Sequence, residues 1–445
     1  MQILSRTAPG RVLGPFICQS CQRSLRKFSI TTSRPRGPPP PPPSGYAHLT
    51  SRRLISISGS DAPKFLHGII TQSLVVDEAI PESGQRHNAQ AKITAANLTI
   101  GAPGFYAAFL NATGRVRHDV FIYRDTLGIA SAGEATAAVD GEAFVIEVDA
   151  AQVEALAKHI KRYKLRSKLK FRILDEEECV AWQVWDDDDA PTTTSTPQSL
   201  SSSKLQQLVQ QPKDYLVLPD ARAPGMGFRV LSSGRRSLSE ALDLPQSDDA
   251  AYRVRRYLRG VAEGQTEIQR EQALPLESNM DLSGGIDFRK GCYVGQELTI
   301  RTRHRGVVRK RILPCLLYPP TTTPPPQKLE YKPVIDGEGQ QDLASEDVPP
   351  NLSIGRANTK GRSAGTWLTG VGNIGLALCR LPIMTDVELP GEMAAGAPFN
   401  PQTDEFVVKW GGDEEGQGGQ SLKVKAFVPD WLRERLSEND DPTAH

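Results

Sequence analysis

The sequence has few cysteines and no long apolar run. Its 445 residues include six cysteines: Cys18, Cys21, Cys179, Cys292, Cys315 and Cys379. This number and spacing exclude the disulfide framework of a small secreted domain and favour a reducing compartment. No stretch approaches the roughly eighteen apolar residues that a membrane span needs. The net charge of +1 gives no general argument for a nucleic-acid partner.

The motifs of several enzyme classes are also absent. The sequence has no paired zinc-ligand signature, Walker loop, Gly-x-Ser-x-Gly elbow or Rossmann fingerprint. Its seven histidines show neither HxxxH nor HExxH spacing. The candidate residues for catalysis or ligand binding therefore lie mainly in 275–306, which read "PLESNMDLSGGIDFRKGCYVGQELTIRTRHRG".

The N-terminal segment lacks acidic residues. Between Met1 and Ser60 there are nine Lys or Arg residues, and the first acid is Asp61. An Arg- and Ser-rich, acid-free leader is typical of a mitochondrial transit peptide. We therefore expect residues 1–45 to be a transit peptide and a Pro-rich spacer, and the mature protein to reside in the mitochondrial matrix. The single CxxC in this leader, without a second pair, is a weak metal or redox signal.

The remaining sequence predicts an α+β body at 46–305 and a C-terminal β-barrel domain at 306–435, followed by a tail at 436–445. In the body, the pattern predicts a strand at 54–57, a helix with Ser60 as its N-cap, a hairpin within 104–124, and helices over 151–169 and around 236–259. Two polar, low-complexity stretches, about 186–212 and 319–363, are expected to be inserts.

Cys292 lies in the stretch "DFRKGCYVGQE", where local reasoning leaves two roles open. The residues "CYVGQEL" can open a helix, and Arg289 and Lys290 are adjacent in sequence. A helix N-terminus and two cations would favour the thiolate, which is the nucleophilic and metal-binding form. A buried cysteine packed under a helix is the other reading. The remaining late cysteines stand in apolar strand-like segments and are expected in the core.

The segment "KGCYVGQE", residues 290–297, resembles the signature of mitochondrial iron–sulfur cluster assembly factors. These factors are related to bacterial folate-dependent regulators of tRNA modification and to the aminomethyltransferase (T-protein) of the glycine cleavage system. Further blocks are similar in the same order: 65–74, 109–124, 161–170, 219–229, 252–264 and 373–380.

The resemblance implies a T-protein-like, folate-binding body with a C-terminal β-barrel. It also implies late action with A-type carriers, which form [4Fe-4S] clusters for aconitase-type and lipoate-synthase-type recipients. Cys292 would be a ligand of a [2Fe-2S] cluster shared with the carrier, with Lys290 stabilising the thiolate and Tyr293 shaping the contact surface. The residues implied for cofactor binding, with tetrahydrofolate as a candidate, are Glu277, Lys290, Gly291, Tyr293, Gly295, Gln296 and Glu297.

One departure from the transferase pattern concerns the acid pair after the Gly-containing turn. Here the chain reads Arg117-His118-Asp119, so that histidine replaces one carboxylate. This puts aminomethyl transfer in doubt, although Asp119 stays a catalytic candidate alongside Cys292. The alternative functions are a tetrahydrofolate-dependent one-carbon transferase and RNA binding. The latter rests on seven Lys or Arg residues without an acid in 158–170, a pattern that an acidic protein partner explains equally well.

Overall fold

The computed structural model describes most of the chain from residue 35 onward. The described residues are 35–74, 103–131, 142–187, 203–234, 236–335, 343–357, 362–389, 399–401, 403–412 and 419–439. The predicted leader up to residue 34, including Cys18 and Cys21, lies outside them. In the described part, no helix is long and apolar enough to span a membrane.

Two five-stranded sheets form the body. The first has the order β4-β5-β6-β3-β7, with β3 Arg52–Ser58, β4 Gly104–Leu110, β5 Val116–Arg124, β6 Ala143–Asp149 and β7 Lys170–Ile173. The second has the order β11-β2-β8-β10-β9, with β2 Ser44–His48, β8 Cys179–Asp186, β9 Tyr215–Pro219, β10 Phe228–Ser233 and β11 Gln246–Ser247. The expected hairpin is confirmed as β4 and β5, whose turn is organised by Asn111 accepting the amides of Thr113 and Arg115.

A closed six-stranded barrel follows the body. Its order is β12-β16-β15-β14-β17-β18, with β12 Lys310–Tyr318, β14 Ser353–Arg356, β15 Gly365–Val371, β16 Ile374–Arg380, β17 Phe406–Trp410 and β18 Gln420–Ala426. Cys315 and Cys379 are fully buried there, with their sulfur atoms 3.8 Å apart. Strands β1 Pro35–Arg36 and β13 Val334–Ile335 pair separately.

The helices cover the outer faces of the sheets and connect the domains. Those in the described residues are α1 Ala62–Ile69, α2 Val153–Lys164, α3 Ser203–Val209, α4 Asp249–Leu258, α5 Gln296–Arg305, α6 Leu381–Met384 and α7 Asp430–Asn439. Apolar residues of α1 and α2 pack on one face of the first sheet, whereas the largest core cluster continues from the body into the barrel. Helix α7 contacts the body through Trp431, whose indole donates to the carbonyl oxygen of Arg259 at 3.0 Å.

Three helices begin later or end earlier than expected, because the backbone and capping residues at their ends set the boundaries. Helix α1 has Asp61 rather than Ser60 at its N-cap, with Pro63 in the first turn as expected. Helix α2 ends at Lys164 because Leu165 adopts a φ of +43°. Helix α4 begins only after Asp248, whose carboxylate accepts the amide of Ala251.

Several segments expected to be unstructured contain ordered elements. The proline run contacts the folded body, since the indole of Trp185 donates to Pro42 and the hydroxyl of Tyr331 donates to Pro38. Helix α3 lies within the first expected insert and β14 within the second. Helix α7 crosses the expected boundary of the tail. These elements are short, so each offers too few apolar positions for a clear periodic pattern.

Candidate functional site

Residues 284–297, here called the Cys292 loop, are attached to the segment that follows α1. Thr71 donates its hydroxyl to the carbonyl oxygen of Gly285 at 2.6 Å, and its own carbonyl accepts the amide of Asp287 at 3.0 Å. The side-chain amide of Gln72 donates to Gly284 at 2.8 Å. These bonds join parts of the chain more than 200 residues apart and fix the first half of the loop.

Lys290 attaches the middle of the loop to the end of α1. Its ammonium group donates to the carbonyl oxygens of His67, Ile70 and Gln72 at 2.6, 2.8 and 2.9 Å. The last carbonyls of a helix have no partner within the helix, and a cation there also complements the helix dipole. Burial lowers the pKa of Lys290 to about 7, while Asp287 acts in the opposite direction. The expectation that Lys290 stabilises a thiolate is therefore replaced by a role as an anchor of the loop.

Two glycines allow the second half of the loop to lie on the β4–β5 hairpin. Gly295 has a φ of +81°, and a Cβ there would lie 2.2 Å from the carbonyl oxygen of Asn111. On the facing side, Gly114 has a φ of +78°, and its Cβ would lie 2.9 Å from the Cβ of Leu298. Both positions therefore need glycine for conformation and for space. Gly291 differs, because a Cβ there would meet nothing within 4 Å.

Cys292 is exposed at the tip of this fixed loop. Of the four cysteines in the described part of the chain, it alone is accessible, while Cys179, Cys315 and Cys379 are buried. The expected core positions of those three are confirmed, and a buried role for Cys292 is excluded. The thiol is not at a helix N-terminus, because α5 begins only at Gln296. The dipole of α5 therefore gives no argument for a thiolate at this position.

The other signature residues divide into supporting and exposed groups. Tyr293 is buried under the loop with its ring centroid 4.9 Å from the Lys290 ammonium, so it supports the loop instead of shaping a contact surface. Gln296 accepts the amide of Tyr293 at 3.2 Å. Glu297 is exposed on the first turn of α5. The loop thus presents Gly291, Cys292 and Glu297 to the surroundings.

Glu277 lies at the junction between the body and the barrel. Its carboxylate is 3.6 Å from the ammonium of Lys310, and both side chains are partly accessible. Its carbonyl oxygen accepts the amide of Ile312 at 2.9 Å. These contacts fix Glu277 to the beginning of β12, whereas the residues of the signature are fixed to α1 and the hairpin.

Asp119 belongs to a buried ionic network between the two sheets. It is fully buried, lies 3.5 Å from Arg52, and accepts the amide of Gly264 at 3.1 Å. Arg52 also donates to Glu147 at 2.9 Å. The network continues through Arg229, Glu263, Arg222, Asp220, Tyr252, Arg256 and Glu267. The pair of Arg229 on β10 and Glu147 on β6 joins the two sheets through this network.

This ionic network was not predicted from the sequence, although a signal was present. Two of its members on strands, Glu147 in "FVIEV" and Arg229 in "FRVL", are single charged residues within apolar runs. An isolated charge at such a position needs a buried partner. The partners come from distant parts of the sequence, so the pattern could show the need without showing the pairs.

His118 does not share a site with Asp119, because successive strand residues point to opposite faces. It is fully buried on the α2 side of the first sheet, beside Phe109 on the neighbouring strand. Its ring nitrogens have no hydrogen-bond partner among the described residues. Burial, reinforced by Arg270, His159 and Arg117, lowers the pKa of His118 to about 3. The histidine is therefore a neutral core residue and not the second member of a catalytic pair.

We expect acid to destabilise the protein through His118. The unfolded chain binds this proton near pH 6.5, but the folded chain does so only near pH 3. The contribution of neutral His118 to the free energy of unfolding is therefore fully present above pH 6.5. It is lost as the pH falls towards 3, by on the order of 2 kcal/mol at pH 5. Urea unfolding between pH 8 and pH 5 measures the slope, which should decrease in His118→Asn and remain in the exposed control His304→Asn. An unchanged slope in His118→Asn would contradict the assignment.

The described residues contain no group of three or more His, Cys, Asp or Glu side chains that could hold a metal ion. An iron–sulfur cluster is coordinated by about four protein ligands, mostly thiolates. Within the described structure, Cys292 can therefore offer one ligand and needs another molecule for the rest.

Comparison with known proteins agrees with this architecture. The model of the CAF17 C-terminal β-barrel domain matches residues 309–434. The solved structure of the glycine cleavage system aminomethyltransferase T from Bartonella henselae superposes with a TM-score of 0.51 at 12% identity, covering 91% of this chain and 88% of that one. This likeness concerns the fold, and it confirms the expected T-protein-like body with a C-terminal barrel.

Three curated relatives match nearly the whole chain, and each is named as a mitochondrial homolog of the iron–sulfur cluster assembly factor IBA57. The relative from Pyricularia oryzae is 51% identical over 423 residues, covering 95% of this chain and 93% of its own length. Those from Neurospora crassa and Aspergillus fumigatus are 45% and 42% identical, covering 94% and 95% of this chain and 88% and 90% of their own lengths. The chain therefore belongs to the IBA57 family of mitochondrial iron–sulfur cluster assembly factors.

Proposed function

We propose that this protein completes the ligand set of a [2Fe-2S] cluster held by an A-type carrier, and that Cys292 supplies the ligand. The observation that carries the proposal is the placement of one exposed thiol on a loop fixed from three sides. Lys290 anchors the loop to α1, Thr71 and Gln72 hold its beginning, and Gly295 lies on the hairpin. A loop fixed in this way presents the sulfur atom at a defined position, which reduces the ordering cost of binding.

The shared cluster would lead to [4Fe-4S] clusters in aconitase-type and lipoate-synthase-type recipients in the matrix. The acid-free leader supports the matrix location, and family membership supports a role in cluster assembly. In this scheme the carrier brings iron and sulfide, and the present chain brings one thiolate and a surface that orients the carrier. Its role is that of an assembly factor on a transferase fold.

Anaerobic mixing with a cluster-loaded A-type carrier tests the proposal. Absorbance and electron paramagnetic resonance spectra should show that the ligands of the cluster change when the wild-type protein is added. Cys292→Ser should abolish that change and the maturation of an aconitase-type recipient. Because Cys292 is exposed, the variant should unfold at the temperature of the wild type.

A second variant shows whether the effect of Cys292→Ser comes from the missing thiol and not from the serine hydroxyl. Cys292→Ala should behave as Cys292→Ser does, whereas addition of excess small thiol should not restore the shared spectrum. If Cys292→Ser still holds a cluster jointly with its carrier and supports maturation, the ligand role is wrong.

A tetrahydrofolate-dependent one-carbon transfer is the second candidate, and Glu277 is the observation that favours it. Its carboxylate is partly accessible beside Lys310, as a group that contacts a folate should be. The residues fit turnover poorly, since Asp119 is fully buried and accepts from Arg52 and from the amide of Gly264. We therefore propose that any folate role is one of binding without turnover.

Titration calorimetry with tetrahydrofolate, on wild type and Glu277→Gln, tests binding, and a one-carbon release assay tests turnover.

A further inference from the structure

A concave surface lies between the outer side of α1 and the end of α2. Its volume is about 890 Å³, and its lining includes Lys64, Phe65 and Gly68 from α1, with Leu165 and Arg166 from the chain after α2. Gly68 opens directly into it, because a Cβ at this position would meet nothing within 4 Å. We call this surface the α1–α2 pocket.

Leu165, on the rim of the pocket, is unfavourable in two ways. Its side chain is 87% exposed, which makes it the most exposed of the large hydrophobic residues in the described structure. Its φ of +43°, with a ψ of −110°, is a positive-φ conformation that favours glycine and that L side chains rarely adopt. Strain of this kind for a branched side chain costs roughly 1 kcal/mol or more and tends to accompany function. A partner that covers Leu165 would gain the burial that the isolated chain lacks.

The surroundings of the pocket are strongly basic. Lys161, Arg162 and Lys164 occupy the last turn of α2, where cations also complement the helix dipole. Arg166 and Lys168 lie beyond the helix end and are exposed, so the dipole does not account for them. Asp61, which also lines the pocket, accepts the amide of Lys168 at 2.6 Å, so one acid stands among these cations. The pocket therefore combines an apolar floor with a positively charged rim.

The pocket and the Cys292 loop share helix α1. Gly68 lines the pocket, and its carbonyl oxygen accepts the amide of Val294 in the loop at 3.2 Å. One residue earlier, the carbonyl oxygen of His67 accepts from Lys290. A partner centred on Cys292 can therefore reach the pocket across the width of one helix, about 10 Å.

We propose that the α1–α2 pocket is the docking site for an acidic segment of the cluster carrier, with one apolar side chain inserted beside Leu165. The inference rests on the proposed function, because it assigns a second contact to the partner that shares the cluster. The charge of the rim selects Asp and Glu, and the apolar floor selects one Leu-, Met- or Phe-sized side chain. Cys292 then supplies the chemistry, while the pocket supplies affinity and orientation.

The floor of the pocket favours a protein partner over single-stranded RNA. RNA sites stack successive bases on several aromatic faces beside a charged groove. Here Phe65 is the one aromatic residue of the lining, and the group that projects from the surface is the aliphatic Leu165. Apolar anchors surrounded by a charged rim are typical of protein interfaces.

Two substitutions remove the docking features without loosening the fold. Leu165→Gly deletes the exposed side chain and relieves the positive-φ backbone. Gly68→Leu fills the pocket from within a helix, where leucine is more favourable than glycine by up to about 1 kcal/mol. Both variants should unfold at or above the temperature of the wild type. A charge-reversal variant, Arg166→Glu with Lys168→Glu, tests the rim, and Lys409→Glu on the barrel is the matched control.

The measurement is the dissociation constant between the full-length protein and the loaded carrier, under anaerobic conditions and at low and high salt. Leu165→Gly and Gly68→Leu should each weaken binding about tenfold. The charge reversal should weaken it similarly at low salt and reduce the salt dependence. Lys409→Glu should bind as wild type does. At saturating carrier, the pocket variants should still give the shared-cluster spectrum that Cys292→Ser loses.

The outcomes separate this inference from the proposed function. Wild-type affinity in both Leu165→Gly and Gly68→Leu, with the shared spectrum intact, overturns the docking site and leaves the role of Cys292 standing. No interaction between wild type and carrier overturns both. Weaker binding of these variants to single-stranded RNA or to anionic vesicles, with carrier affinity unchanged, overturns the assignment to a protein partner.

Discussion

Replacing Glu263 by glutamine should destabilise the protein by about 3–5 kcal/mol, the usual result of removing one partner from a buried ion pair. Glu263 is in contact with Arg229 and lies 2.7 Å from Arg222, and all three side chains are almost completely buried. Burial alone would raise the pKa of Glu263, but the surrounding arginines, Arg229 and Arg222 first, hold it well below its usual value. Glutamine keeps the volume and removes the charge that balances them.

The loss should be large because Glu263 joins two sheets. Arg229 stands on β10 of the second sheet and lies 3.5 Å from Glu147 on β6 of the first. The hydroxyl of Tyr252 on α4 donates to Glu263 at 2.9 Å. Without the carboxylate, Arg222 keeps Asp220 and Arg229 keeps Glu147 at 3.5 Å, but the two guanidinium groups lose the anion that they share. No solvent is available to screen their like charges.

Chemical denaturation followed by circular dichroism measures this effect, with Glu154→Gln on the exposed face of α2 as the control. The control should change stability by less than about 0.5 kcal/mol. A loss below about 1 kcal/mol for Glu263→Gln would contradict the view that the network holds the sheets together. Replacing Glu263 and Arg229 together by apolar residues should cost less than Glu263→Gln alone, because no unpaired charge is left.

The sequence predicted those elements of the fold that have long apolar patterns. It did not predict short strands or contacts between residues far apart in the sequence. Two strand-like runs around the Asn-Ala-Thr-Gly turn in 104–124 predicted the hairpin, and each strand has seven or more residues. The four-residue strand β14, with Ile354 as its single fully buried side chain, gave no comparable signal. For the site, the signature identified Cys292, but only the structure shows that Lys290 anchors the loop and that Tyr293 is buried. Those roles depend on His67 and Gln72, more than 200 positions earlier in the sequence.

The two candidate sites differ in what a ligand can reach. Asp119 and its neighbours are closed to solvent and satisfied by one another, so this network serves the interior of the fold. Cys292 is accessible and its loop is fixed at several points. The transferase-like body therefore acts as a support that holds the exposed Cys292 thiol at one place on the surface.

Lys290→Met should separate the presence of the Cys292 thiol from its placement. Methionine keeps an unbranched apolar stem out to Cε, but it removes the ammonium group and its three donors to His67, Ile70 and Gln72. We expect a loss of roughly 2 kcal/mol in stability, because each unpaired carbonyl weakens the end of α1. Lys290→Arg keeps the charge, but its planar guanidinium cannot reproduce three bonds converging on one nitrogen. It should therefore recover only part of the loss.

Hydrogen exchange shows whether the anchor acts on the loop, since amides in 67–74 and 284–297 should exchange faster in Lys290→Met while the barrel is unchanged. The thiol should still react with an alkylating reagent, yet the affinity for the loaded carrier should fall by about tenfold or more. A variant with faster exchange and wild-type affinity would show that the carrier itself orders the loop. A variant that binds weakly although exchange in the loop is unchanged would instead make Lys290 a direct contact of the carrier. The combination of faster exchange, a reactive thiol and weaker binding is the result that identifies Lys290 as the residue that positions Cys292.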